Sequence, residues 1–159
     1  MVSPDDYNGN YADHRLEQYK LYVEMADRVS ARRQTANTYF LSINTAIFTV
    51  IGYVHVSRSG NLPTGGMLII ALVGPVLCYS WYRLIRSYRD LSRGKFEVIR
   101  RLEGDLPLAP YDSEWRLLGQ GHDPSKYLPF THIESRVPWI LFGLYVGIGL
   151  WVLGSHVIS

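Results

Sequence analysis

Two histidine–carboxylate pairs are the residues of this sequence best suited to acid–base or metal chemistry. His122 is followed by Asp123, and Glu134 stands two residues after His132. A zinc site normally takes three or four ligands, often at a helical spacing such as HExxH. Neither pair has further ligands at such a spacing, and no phosphate-binding glycine loop or nucleophile elbow is present. We therefore predict no catalytic residues, no metal and no cofactor, and expect His132 and Glu134 to tie their loop to arginine side chains.

An arginine cluster is the second candidate site. Its members are Arg28, Arg32 and Arg33, which directly precede a charge-free segment. Guanidinium groups at the edge of a membrane bind anionic lipid headgroups or other phosphate-bearing ligands. They also anchor a helix at the membrane surface or pair with carboxylates such as Glu24 and Asp27. We favour anchoring and pairing, because arginines are common at this place in membrane proteins.

A stripe of small, mostly hydroxylated residues follows one helical face of the charge-free segment 37–56. Its members recur at steps of three and four residues: Thr38, Ser42, Thr45, Thr49 and Gly52. We call this stripe the hydroxyl seam. Small residues let membrane helices approach closely, and hydroxyl groups form hydrogen bonds across the contact. In a ring of subunits the same seam would suit a pore wall or gate. We favour helix packing, within a subunit or between subunits.

Glycines mark one face of the last apolar segment. Gly143 and Gly147 form a GxxxG pair, and Gly154 lies seven residues further along the same face. This spacing favours close packing between membrane helices. We call these three residues the glycine face, which predicts a packing contact and no chemistry.

The distribution of charge shows which elements carry these residues. The chain has 159 residues and a net charge of +2, and the segments 37–56, 67–82 and 137–158 lack Asp, Glu, Lys and Arg. An apolar run of about 20 residues can cross a bilayer. Three such spans predict an integral membrane protein and leave too little chain for a separate enzymatic domain of about 100 residues. The modest net charge gives no indication of nucleic-acid binding.

The first span is predicted to continue an amphipathic helix at residues 13–36. Residues 1–12 contain Pro, Gly and Asn and are expected to form a flexible lead, with Asp13 as the N-cap of the helix. A stripe on one face of this helix consists of Leu16, Tyr19, Val23, Ala26 and Ser30, and Tyr22 and Val29 widen it. No proline separates the helix from the first span, so we expect one continuous helix.

The second span is predicted to continue in the same way, through residues 83–104. A glycine-rich external turn at residues 57–66 joins the first two spans. The heptad-like apolar stripe of the extension consists of Leu84, Tyr88, Leu91, Lys95, Val98 and Leu102, with Ile85, Phe96 and Ile99 beside it. Pairing the two cytoplasmic extensions buries both stripes and predicts an antiparallel helical hairpin, or stalk.

Residues 105–136 are rich in proline and glycine and are predicted to wrap the stalk as a cytoplasmic loop. One short helix fits within it, at about residues 113–118, with Asp112 or Ser113 as its cap. Pro138 then suits the first turn of the third span, residues 137–158.

Lysine and arginine counts predict the topology. The segments before, between and after the spans carry five, one, ten and zero of these residues. Positive charge accumulates on the cytoplasmic side of membrane proteins. We therefore expect a cytoplasmic N-terminus and an extracytoplasmic C-terminus.

Several stretches resemble one family. They are residues 16–22 (LEQYKLY), residues 25–37 (MADRVSARRQTAN), Tyr111, Glu114, Trp115 and residues 127–134 (YLPFTHIE), followed by Pro138. The chain resembles the RipA-family octameric membrane proteins, which are small bacterial inner-membrane proteins. The similarity covers nearly the whole chain after the first dozen residues. It implies an octamer in the cytoplasmic membrane and no established chemistry.

The sequence thus predicts an all-α membrane protein with three transmembrane helices, the first two extended into the cytoplasm as a helical hairpin stalk. We expect a homo-oligomeric scaffold or channel-like assembly in the inner membrane, without intrinsic catalysis, whose partners are further copies of itself and membrane lipids. The alternative is a membrane-anchored effector or signalling module whose stalk binds a cytoplasmic partner or ligand.

Overall fold

The described residues form four α-helices. The computed structural model describes residues 7, 9–57, 64–104, 106–121 and 134–158. The helices are α1 (Tyr11–Val56), α2 (Thr64–Glu103), α3 (Pro110–Leu117) and α4 (Arg136–Ile158), and a 3-10 turn follows α3 at Gly119–Gly121. Three of them, α1, α2 and α4, are long and apolar enough to cross a membrane. The predicted all-α membrane fold with three spans is therefore confirmed.

The chain divides into two units, and α1 and α2 contribute to both. The first unit contains residues 1–32 and 88–129, and the second contains residues 33–87 and 130–159. In the first unit, Tyr19 of α1 contacts Glu103 and Tyr22 contacts Lys95. The second unit likewise pairs Asn37 with Trp81 and Asn44 with Cys78. Residue numbers rise along α1 as they fall along α2, so the predicted antiparallel hairpin is confirmed.

The starts of α1 and α2 differ from the prediction. The N–H of His14 donates to the carbonyl of Asn10 at 3.1 Å, and the ring of Tyr7 packs edge-on against Tyr11. These contacts start α1 at Tyr11, so Asp13 lies in its first turn and is not its N-cap. A carboxylate there still interacts favourably with the helix dipole. In the expected external turn, residues 64–66 already belong to α2.

The buried face of α2 is rotated relative to the predicted apolar stripe. Ile85 and Ile99, which were expected to flank the stripe, are fully buried, whereas Leu91 is 50% exposed. On α1, Ala26 and Val29 of the predicted stripe are buried, whereas Leu16 at its start is 40% exposed. The predicted register is therefore wrong by about one residue for the α2 stripe. The buried face also includes the carboxylate of Glu103 at the end of α2, which accepts three hydrogen bonds within the first unit.

The short helix α3 begins earlier than predicted, at Pro110. Proline is favoured in the first turn because its missing N–H would have no intrahelical partner. The residue before it, Ala109, provides no side-chain cap. Neither expected cap, Asp112 or Ser113, has that role, because both lie inside α3. Asp112 instead pairs with Arg116 at 2.7 Å, one turn further on. The capping group comes from another helix.

Candidate functional site

A polar cluster joins all three membrane helices in the second unit. Asn44 of α1 is buried, and its amide group donates to the carbonyl of Phe40 at 2.7 Å. The hydroxyl of Tyr145 donates to the Asn44 side-chain oxygen at 3.0 Å. The thiol of Cys78 makes a weaker contact with the same oxygen at 3.7 Å. Buried polar groups are costly unless they are hydrogen-bonded, and here each of them has a partner.

Close packing around Tyr145 completes this cluster. The ring of Tyr145 stacks on Phe48, with 4.8 Å between the ring centroids. On its other side the ring lies against the backbone of α2 at Gly74, where any Cβ atom would overlap ring atoms. A Cβ at Gly149 would also come within 3.2 Å of Ala71. The glycines that pack inside the subunit are therefore Gly74 and Gly149, which lie outside the predicted glycine face.

A second polar contact lies in the same unit, one heptad before Asn44. The indole N–H of Trp81 donates to the Asn37 side-chain oxygen at 2.9 Å. The ring of Phe40 stacks on Trp81 in a nearly parallel arrangement. Both asparagines of the first span thus face α2 and are hydrogen-bonded inside the subunit.

The hydroxyl seam lies on the outside of the subunit. All five members, from Thr38 to Gly52, are exposed. Thr49 donates to the carbonyl of Thr45 in its own helix at 2.8 Å, and a Cβ atom at Gly52 would meet nothing within 4 Å. Packing of the seam within one subunit is therefore wrong. What can contact the seam is a second subunit, lipid or the water of a pore.

The glycine face also points away from its own subunit. Gly143, Gly147 and Gly154 are exposed, and a Cβ atom on any of them would meet nothing within 4 Å. Tyr145, which faces inward, is two residues from both Gly143 and Gly147, or about 200° around the helix. Among the residues that the structure describes, none packs closely against the GxxxG pair.

The arginines of the predicted cluster belong to different units, and each is described within its own unit. In the first unit, Arg28 pairs with Glu24 at 2.7 Å, and Arg32 is exposed. In the second unit, Arg33 lies 3.8 Å from Glu134. The pairing predicted for Arg28 with Glu24, and for Glu134 with an arginine, is thus present. His132, His122 and Asp123 lie outside the described residues.

A cleft of about 240 Å³ opens beside Glu134 in the second unit. Its walls include Gln34, Thr38 and Leu41 of α1, Trp81 of α2, and Glu134 and Val137 at the start of α4. The wall is polar near Gln34 and Glu134 and apolar near Leu41, Trp81 and Val137. This concave surface suits a small or amphipathic ligand.

In the first unit, the buried carboxylate of Glu103 accepts three hydrogen bonds. The hydroxyl of Tyr19 donates to it at 2.9 Å, and the backbone N–H groups of Tyr111 and Asp112 donate at 3.0 and 3.1 Å. Because Pro110 has no N–H, these are the first two amides of α3 that need an acceptor. Glu103, the last residue of α2, is therefore the N-terminal cap of α3.

The pKa values of two tyrosines in the first unit, Tyr19 and Tyr111, are raised by their surroundings. Burial raises the pKa of Tyr19 to about 12, and the hydrogen bond to Glu103 acts in the same direction. Burial also raises the pKa of Tyr111, with a further contribution from the negative charge of Asp27. Both phenols therefore stay neutral well above physiological pH, which suits hydrogen-bond donors with a structural role.

Sequence reasoning did not identify Tyr145, Gly74 or Glu103 as site residues. For Tyr145, the available indication was the amide side chain of Asn44 in a charge-free span. If Asn44 is buried, it needs a hydrogen-bond partner from another helix. The aromatic hydroxyl of Tyr145 in the third span is such a partner. For Glu103, the indication was a glutamate at the end of a helix, a few residues before the proline that starts the next one.

Chemical groups for metal binding are sparse in the described part of the chain. There, no three His, Cys, Asp or Glu side chains lie close enough together to hold a metal ion. Cys78, the one cysteine of the sequence, is buried as a free thiol. What the described residues offer instead is the outward hydroxyl seam, the outward glycine face and the cleft beside Glu134.

Comparison with known proteins gives one match. The model of the Octameric membrane protein family (8xMP) matches residues 16–154. No curated protein and no solved structure matches the chain.

Proposed function

The chain belongs to the octameric membrane protein family, and we propose that it acts as a homo-oligomeric scaffold or channel-like assembly in the inner membrane, without intrinsic catalysis. The family resemblance found in the sequence is confirmed by the match. The family is named for an octamer, which supports self-association of this chain. The scaffold or channel role, the inner membrane and the lack of catalysis are the parts that we propose.

The outward position of the hydroxyl seam carries this proposal. Inside the subunit, Asn37 and Asn44 already hold the first span against its neighbours. The five seam residues are left for another molecule, and membrane helices associate through small residues of this kind. The exposed glycine face on α4 gives each subunit a second surface of the same character. Two such surfaces on one subunit suit a closed ring, in which each copy contacts two neighbours.

We further propose that the N-terminus is cytoplasmic and the C-terminus extracytoplasmic. The support is the count of five, one, ten and zero lysines and arginines in the segments around the three spans. The segments with many positive charges then contain the first unit, which would lie in the cytoplasm.

The test is Thr45→Leu, which adds bulk at the centre of the seam. Native mass spectrometry of the purified protein should show a smaller or dissociated oligomer, because the larger side chain forces neighbouring helices apart. Val50→Leu is the matched control: Val50 is exposed on the same span but lies outside the seam, so its substitution should leave the mass unchanged.

Flux through liposomes separates the scaffold from the channel. If the seam lines a water-filled axis, Thr45→Leu should retain the subunit count and lower the efflux of small ions. An intact oligomer with unaltered efflux, or with no efflux in either protein, would contradict a role of the seam in assembly or conduction.

A second candidate, the membrane-anchored effector module, is favoured by one observation in the first unit. Leu108, just before α3, and Leu117, its last residue, are 71% and 80% exposed. Exposed large apolar side chains are available for contact with another protein. A partner outside the membrane would engage this region, whereas the oligomer proposed above depends on the spans.

A further inference from the structure

One side of α2 in the second unit changes from apolar to cationic at the end of its charge-free segment. Its members recur at steps of four and three residues: Leu72, Val76, Tyr79, Arg83 and Arg86. We call these five residues the α2 outer face. All five are exposed, whereas Trp81 and Ile85 are buried on the other side of the helix. The α2 outer face is therefore accessible to another molecule along its whole length.

The two arginines of this face lie at the depth of lipid headgroups. The charge-free segment of α2 ends at Tyr82, and the helical rise places Arg83 and Arg86 about 2 and 6 Å beyond it. The headgroup layer on each side of a bilayer is roughly 5–8 Å thick. Side chains on a helix lean toward its N-terminus, which directs both guanidinium groups back toward the apolar part of the face.

The spacing of Arg83 and Arg86 suits a single phosphate group. Side chains three residues apart on a helix are neighbours, with their Cβ atoms about 5–6 Å apart. A guanidinium group binds phosphate through two parallel N–H donors, and two such groups are accessible here. On α1, by contrast, Arg28 and Arg33 each have a carboxylate nearby, at 2.7 and 3.8 Å, which offsets their charge. The α2 outer face is thus better suited to a negatively charged lipid than the arginines of α1.

We propose that the α2 outer face binds one phospholipid whose headgroup carries a net negative charge. The phosphate lies between the guanidinium groups of Arg83 and Arg86, the ring of Tyr79 packs beside the glycerol, and an acyl chain extends along Val76 and Leu72. The order of apolar, aromatic and cationic residues along the helix matches the order of acyl chain, glycerol and phosphate in the lipid. A zwitterionic headgroup binds more weakly, because its own ammonium offsets the attraction between phosphate and arginine.

The inference requires only that α2 crosses a membrane, for which it is long and apolar enough. The α2 outer face shares no residue with the hydroxyl seam or the glycine face, which we assign to contacts between subunits. A failure of the lipid proposal therefore leaves the proposed oligomer intact.

The test measures lipid binding to the delipidated full-length protein by native mass spectrometry. Two lipids with identical acyl chains are compared, one with a phosphoglycerol and one with a phosphocholine headgroup. The unmodified protein should prefer the phosphoglycerol lipid. Arg83→Gln and Arg86→Gln should each lower the ratio of the two affinities about fivefold, because one arginine near an anionic lipid surface contributes about that factor.

Arg93→Gln is the matched control for the loss of one positive charge. Arg93 is exposed on the same helix, but it lies roughly 16 Å beyond Tyr82, outside the headgroup layer. Its substitution should leave the affinity ratio unchanged. Free glycerol phosphate, which lacks acyl chains, should not displace the bound lipid.

Four outcomes would overturn the proposal. Equal binding of both lipids to the unmodified protein would show that the negative charge is not recognised. An unaltered ratio in the Arg83→Gln, Arg86→Gln double variant would place the recognition elsewhere. An equal loss in Arg93→Gln would mean that overall charge, and not this face, attracts the lipid. Displacement of the lipid by glycerol phosphate would show that the arginines bind a soluble phosphate.

Discussion

Asn44 and Thr45 are consecutive polar residues in the first membrane span, but their surroundings are opposite. Asn44 is buried and hydrogen-bonded to Tyr145 of the third span, whereas Thr45 is exposed. A helical step of about 100° is enough to place one inside the subunit and the other outside. The inner polar groups hold three helices together as one subunit. The outer ones are unused within it, which is why we assign them to contacts with other molecules.

Two glycines of α2 also differ in whether they face inward or outward. Their substitution gives the largest predicted change in stability. Gly74 faces inward, and a Cβ there would overlap the ring of Tyr145, whereas a Cβ at Gly94 of the same helix would meet nothing within 4 Å. Gly74→Ala should lower the free energy of unfolding by about 1–3 kcal/mol, the usual cost of overpacking. Unfolding in mixed micelles, followed by tryptophan fluorescence, measures this change.

Gly94→Ala is the control for helix propensity. At an exposed helical position this substitution should be neutral or should stabilise by up to about 1 kcal/mol. Equal stability changes in the two variants would mean that Tyr145 does not pack on Gly74. They would contradict the close packing described inside the subunit.

In the first unit, the buried group is titratable, and we predict a smaller change in stability, which depends on pH. Tyr19 donates to the buried carboxylate of Glu103, and its pKa is raised from 10.0 to about 12. Folding therefore favours the neutral phenol. Its contribution to stability is complete below the unfolded pKa and is lost as the pH rises from about 10 to about 12.

Absorbance at 295 nm measures this ionisation. The titration of the unmodified protein minus that of Tyr19→Phe should show one tyrosine that ionises near pH 12. A difference curve centred at pH 10, the ordinary value, would show that Glu103 does not hold this hydroxyl.

The spans and the hairpin were predictable because they depend on local composition. Segments without charge identify the spans, and a short connection between two helices requires them to be antiparallel. The seam residues were also found correctly as one face of a helix, since a step pattern needs no knowledge of neighbours. Which way that face points was not predictable, because it depends on where Asn37 and Asn44 find partners.

The errors have a common physical origin in contacts between distant residues. An apolar stripe centred on Leu91 is a reasonable interpretation of the pattern, but α2 buries Ile99 and Glu103 instead, and Glu103 is hydrogen-bonded to Tyr19 and to the start of α3. The cap of α3 was sought within its own first turn, and the structure supplies it from the end of α2. In the sequence, Gly74 next to Pro75 indicates a kink in α2. The contact of Gly74 with the Tyr145 ring could not be predicted, because Tyr145 lies on α4, far away in the sequence.

Nitroxide labelling tests the assignment of the hydroxyl seam most directly. In a Cys78→Ser background, which keeps a donor toward Asn44, single labels are introduced by Thr45→Cys or by Leu72→Cys. Leu72 is 72% exposed on α2 and lies on no predicted contact face, so it reports on lipid. Collision rates of each label with oxygen and with a water-soluble nickel chelate are measured by electron paramagnetic resonance in liposomes.

Oxygen concentrates in lipid and the nickel chelate stays in water, so a label between packed helices meets neither. The account predicts low collision rates with both reagents at position 45, and a high oxygen rate at position 72. An oxygen rate at position 45 as high as that at position 72 would show that the seam faces lipid, and would contradict its assignment to a contact between subunits.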